Sequence, residues 1–130
     1  MSTEHEKLIR DVYDAYARRD VAAALSRFSP EVEFIQTDLL PWGGRYHGVE
    51  GAQASLGKLL AHVDSRLEVE EVISAGDHVV VIARTRGTTL ASGAAFDVRA
   101  VHVWTVVDGS ILRFEAYIDT PAMLAALRPK

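Results

Sequence analysis

The segment FDVRAVHVWTVVDGSILRFEAYIDT, residues 96–120, alternates on both sides of Asp108-Gly109. An Asp-Gly pair between two alternating runs signals a β-hairpin, because both turn residues must accept a positive φ. Side chains in a strand point to opposite faces in turn. Before the turn, Phe96, Val98, Ala100, His102, Trp104 and Val106 share one face, and Asp97, Arg99, Val101, Val103 and Thr105 the other. After it, Leu112, Phe114, Ala116 and Ile118 form an apolar set opposite Ile111, Arg113, Glu115 and Tyr117. The even-numbered sets are expected to face a core. His102 is then the one ionisable group on an apolar inward face.

Working upstream, strands are expected at Arg66–Ser74 and His78–Thr89, joined by a Gly76-Asp77 turn. Val79–Ala83 is apolar at every position, which predicts burial on both faces. A further strand is expected over Glu31–Thr37, with Val32, Phe34 and Gln36 on one side, followed by a loop over Asp38–Gly48 that is rich in Pro and Gly. Near the start, Thr3 and Glu6 make a capping-box pattern, and Ile9, Val12, Tyr13 and Tyr16 form one helical stripe. Asp20 can cap a short helix over Val21–Phe28, stopped by Ser29-Pro30. Ala52, Leu56, Leu59, Leu60 and Val63 mark a third helix. Thr120 is expected to cap a last helix with Pro121 in its first turn. Helices grouped ahead of an antiparallel meander indicate an α+β fold.

The 130 residues suit one domain, 1–130. Fourteen basic against eighteen acidic residues, net charge −4, argue against nucleic acid as a partner. There is no cysteine, and no apolar run long enough to span a membrane. The first residues, MSTEHE, do not read as a signal segment, so cytoplasmic residence is expected. No His spacing typical of a metal site occurs, and neither a metal nor a cofactor is expected.

The outward faces mix Arg84, Arg86, Arg99, Arg113 and Glu115 with Val80, Ile82, Val101, Val103 and Tyr117. Such a face is too apolar for open solvent and reads as a homodimer surface rimmed by cross-strand ion pairs.

The segments FSPEVEFIQTDLLPWGGRYHGVEG (28–51), SAGDHVVVIARTRGTTLASG (74–93) and FDVRAVHVWTVVDGSILRFEAYIDT (96–120), with YDAYARRD (13–20), resemble the SnoaL-like branch of the nuclear-transport-factor-2-like superfamily. That superfamily also contains ketosteroid isomerases and limonene epoxide hydrolases. The resemblance implies a cone-shaped, mostly antiparallel sheet around a hydrophobic pocket, packed against the N-terminal helices, with dimerisation through the outer sheet face. The isomerase base, an aspartate at the end of the first strand, is replaced here by Gln36, with Asp38 two residues on. The isomerase acid on the penultimate strand falls at Ala100 or His102. Steroid isomerisation is therefore not expected, and fold membership does not transfer chemistry.

The candidate catalytic residues are His102, Gln36, Asp38 and Tyr16. A neutral imidazole in an apolar pocket can move a proton; its plainer role is a core histidine bonded to a tyrosine or a carbonyl. Gln36 could steady a developing oxyanion, or simply plug the core. Asp38 could orient His102 or act as the base itself, or simply cap a turn. Either Tyr16 or Tyr13 could polarise a carbonyl, or be a core aromatic whose hydroxyl reaches the surface. Tyr13, Phe34, Trp42, Trp104, Phe114 and Ile118 are the expected ligand-binding wall, with Trp42 either a lid or a loop anchor. Three functions stay open: a cofactor-free isomerase, cyclase or hydrolase of a small hydrophobic carbonyl or epoxide compound; a non-catalytic binding protein for a small apolar ligand; and a dimer whose pocket is incidental.

Overall fold

A computed structural model describes residues 2–128, with side chains from 4 to 128. In chain order the elements are α1 (Ser2–Ala17), α2 (Val21–Leu25), β1 (Phe28–Gln36), β2 (Gly44–His47), α3 (Gly48–His62), β3 (Val63–Ala75), β4 (His78–Thr89), β5 (Ala95–Val107), β6 (Ser110–Ile118) and α4 (Thr120–Leu127). The strands form one curved sheet in the order β2-β1-β6-β5-β4-β3. Every neighbouring pair is antiparallel except β1 and β6. The fold is α+β, as the order of periodicities requires.

Local chemistry explains most boundaries. Asp20 caps α2 by accepting from the Ala23 amide at 3.1 Å. Asp108 and Gly109 both hold positive φ, 52° and 75°, which lets the β5–β6 turn match the twist of its strands. Several expectations are corrected. Helix α1 already includes Thr3, so the proposed cap is inside the helix; the Thr3 side chain lies outside the described residues. Helix α2 stops at Leu25, and Phe28 to Pro30 belong to β1. Pro30 is tolerated there because the β1–β6 register shifts between Phe28 and Glu33, where a missing amide breaks no ladder. The loop expected over 38–48 contains the short strand β2. The cap of α4 is Asp119, not Thr120, and its carboxylate accepts from the Ala122 amide at 3.3 Å.

The face assignment holds along β5 and fails at one end of β6. The pairing jumps from Thr105–Arg113 to Val106–Ile111, so Leu112 is an extra residue. A bulge of this kind puts two residues opposite one and reverses parity beyond it. Ile111 is therefore fully buried in place of Leu112. On β4, Val79, Val81 and Ala83 are fully buried, whereas Val80 and Ile82 on the outer face are only half-buried. The continuous apolar run does not mean full burial on both sides within one chain.

Strand pairing places inner-face residues in rows across the sheet. One row runs Phe34, Phe114, Trp104, Val79; the next Gln36, Ala116, His102, Val81; the next Ile118, Ala100, Ala83, Val69. The first row is bulky and packs solid, with ring centroids 4.6 Å apart for Phe34–Phe114 and 4.5 Å for Trp104–Phe114. The following rows put Ala116, Ala100 and Ala83 in central positions. This step from aromatic to methyl side chains leaves space between the sheet and the helices. One core cluster, holding Ile9, Val12, Val32 and Val106, lies on the bulky side. A second, with Leu40, Trp42, Val63, Phe96 and Met123, lies elsewhere around the same inner face.

Candidate functional site

The space beneath the helices is a cavity of about 130 Å³. An apolar cavity of roughly 150 Å³ accommodates benzene, so this one takes about one ring without rearrangement. Helix α1 contributes Val12, Tyr13 and Tyr16; α3 contributes Ser55, Leu56 and Leu59; the sheet contributes Phe34, Gln36, Ala100, His102, Trp104, Phe114, Ala116 and Ile118. Its polar lining is neutral: Tyr13, Tyr16, Gln36, Ser55, Ser65, Thr85 and His102, with no Asp, Glu, Lys or Arg.

His102 sits at the centre of its row and is half-buried, its accessible part belonging to the cavity wall. Its Nδ1 lies 2.6 Å from Tyr13 Oη. The same oxygen accepts from the Trp104 indole Nε1 at 3.0 Å. Phe114 meets the imidazole edge-on at 4.9 Å and the Tyr13 ring is nearly parallel to it at 5.9 Å. Burial lowers the His102 pKa to about 4, because the charged ring would lose its hydration with no counter-charge to replace it. Burial also pushes the Tyr13 phenol well above its ordinary value, and the Trp104 hydrogen bond only partly opposes this. At neutral pH the trio is an uncharged hydrogen-bonded chain.

Nine of the ten sequence-predicted site residues line the cavity: Tyr13, Tyr16, Phe34, Gln36, Trp42, His102, Trp104, Phe114 and Ile118. Asp38 does not. It stands exposed in the turn after β1, where Leu40 N bonds back to Thr37 O at 3.3 Å, so it neither orients His102 nor reaches the cavity. The two tyrosines exchange expected parts. Tyr13, read as wall, holds the imidazole. Tyr16, read as catalytic, is a buried phenol whose pKa is raised by desolvation, with Ser65 and the Arg19 guanidinium beside it, the latter 4.6 Å from its ring. Both sit on one helical stripe, and only the placement of α1 on the sheet distinguishes them. Gln36 flanks Ala116 opposite His102, and its side chain makes no hydrogen bond among the described residues. Trp42 is 3 % exposed, with Ser55 Oγ donating to its carbonyl at 3.2 Å; it is wall rather than a mobile lid. Sequence reading missed Ser65, Thr85, Leu56 and Leu59, whose inward direction needs the register of β3 and β4 and the rotation of α3.

A family model, the SnoaL-like domain, matches residues 9–114. The chain belongs to the SnoaL-like family. An uncharacterised protein of Mycobacterium tuberculosis (strain H37Rv) is 31% identical to this SnoaL-like chain over 118 residues, 88% of each. The crystal structure of an NTF2-like protein of unknown function from Burkholderia pseudomallei K96243 superposes with a TM-score of 0.91 at 28% identity, covering 99% and 100% of the two chains. The structure of TerC co-crystallised with polyporic acid gives a TM-score of 0.86 at 30% identity, covering 93% and 95%. This SnoaL-like fold has no group of three or more His, Asp or Glu among its described residues that could hold a metal. No helix among them is long and apolar enough to cross a membrane.

Proposed function

We propose that this SnoaL-like protein takes a small, uncharged, mostly apolar carbonyl compound into its cavity and moves a proton on it without a cofactor. The observation that carries this reading is the clamped imidazole of His102, which is tied at Nδ1 to Tyr13 and makes no other hydrogen bond among the described residues. That leaves Nε2 as the atom able to exchange a proton with a ligand. Gln36, in the same row, offers an amide to steady charge on the ligand oxygen. The co-crystal of TerC with polyporic acid supports a small organic ligand for this family member as well. The test is turnover of single-ring enolisable ketones and epoxides, with acetophenone as a binding probe. His102→Gln is expected to lower turnover at least 100-fold. Equal rates in folded wild type and variant refute the reading.

A second reading, a non-catalytic binder, draws on the neutrality of the lining, which supplies no carboxylate or amine as a strong base. Binding without turnover of any compound in the panel would favour it. On either reading we propose a homodimer through the outer face of the sheet, where Val80, Ile82, Val101 and Val103 are half-covered and Tyr117 is 55% exposed.

A further inference from the structure

The hydrogen bonds at Tyr13 Oη restrict where the protons sit. The Trp104 indole is a donor only. At 3.0 Å it donates to Tyr13 Oη. The phenol has one proton of its own, and His102 Nδ1 at 2.6 Å is its acceptor. The opposite assignment, with the proton on Nδ1, would bring two donors to the phenol oxygen. It would also leave the phenol proton without an acceptor among the described residues, in a buried place where an unmade hydrogen bond is costly. The ring is held in this orientation by Tyr13 at its Nδ1 edge and by Phe114, whose ring centroid is 4.9 Å away. Its neighbour in the row on β6 is Ala116, which offers no polar atom to Nε2.

We infer that Tyr13, oriented by Trp104, is a positioning residue that fixes His102 as the Nε2–H tautomer, so that the cavity presents a hydrogen-bond donor and selects ligands with an acceptor oxygen, such as ketones, quinones or lactones. Before any proton moves, His102 then meets its ligand as a neutral hydrogen-bond donor through Nε2–H. The choice of ligand rests on the cavity reading given under Proposed function; the tautomer does not.

Nitrogen-15 NMR of the imidazoles in the ligand-free protein at neutral pH tests the tautomer. The His102 signals are those lost in His102→Leu or, should that variant not fold, those displaced in Tyr13→Phe. The expected wild-type pattern has Nε2 in the protonated range and Nδ1 in the unprotonated range. Tyr13→Phe keeps the ring and removes the hydroxyl, and is expected to give averaged signals from mixed tautomers. The reverse pattern, or averaging already in the wild type, overturns the inference. For the ligand, acetophenone is compared with α-methylstyrene, which has the same shape and a methylene in place of the oxygen. The ratio of their affinities is expected to shift about tenfold against the ketone in His102→Leu. An unchanged ratio overturns the acceptor selectivity. Absence of binding by both compounds refutes the cavity reading and with it that selectivity, while the spectrum still decides the tautomer.

Discussion

On the inner face of β5, His102 stands among aromatic and methyl side chains with only neutral partners. On the outer face of the same strand, Asp97 meets Arg84 at 3.0 Å and Arg86 at 3.1 Å, and Arg99 meets Glu70 at 3.7 Å. The two faces satisfy polarity by different means. Inside, an ionised group would pay a desolvation cost that no partner offsets, so hydrogen bonds between neutral groups prevail. Outside, water screens charges, so ion pairs form freely and each contributes little. The same alternation therefore builds a chemically selective interior and an adaptable exterior.

The comparison breaks first at Trp104. Trp104→Ala should destabilise by about 3–5 kcal/mol, measured by urea unfolding, since it empties a packed aromatic row and removes the donor to Tyr13. A loss below 1 kcal/mol would mean the inner face is not close-packed.

Next comes pH. The folded pKa of His102 is near 4, below its unfolded value of about 6.5, so the unfolded chain binds the extra proton first. Stability is then full above pH 6.5 and falls as pH drops toward 4, by roughly 3 kcal/mol from this group. Denaturation midpoints of wild type and His102→Gln across pH 4–7 check this, the variant showing a shallower fall. Parallel curves would show that the interior already carries the charge.

The outer face should respond through association. Val101→Asp is expected to weaken the proposed dimer at least tenfold in sedimentation equilibrium and to leave the monomer folded. A wild type that is monomeric at tens of micromolar removes the dimer. The smallest effect is expected at Arg86, half-exposed and bonded to both Glu68 and Asp97. Arg86→Ala should change stability by less than about 1 kcal/mol, and less still in high salt.

Much of this contrast was legible in the chain because period-two alternation is local. It placed His102, Trp104, Phe114 and Ile118 on one side, and Gln36 beside Phe34. It erred at Leu112, where a bulge adds one residue without altering the hydrophobic pattern: both Ile111 and Leu112 are apolar, so sequence offers no sign of which turns inward. The family resemblance, rather than alternation, suggested Asp38 as base or as partner for His102, because it lies two residues beyond the position of the isomerase aspartate. A turn carries that carboxylate outward.

The sequence by itself determined the kinds of element, their order, the apolar inner face and the presence of one imidazole on it, since each follows from backbone periodicity and turn chemistry between near neighbours. Only the tertiary structure decided that Tyr13 rather than Tyr16 holds that imidazole, that Ala116 and Ala100 leave a hollow beside it, and that β1 pairs in parallel with β6. Those contacts join residues as far as 91 positions apart. Their geometry depends on how a helix crosses a sheet and on the register of its strands, which no local pattern encodes.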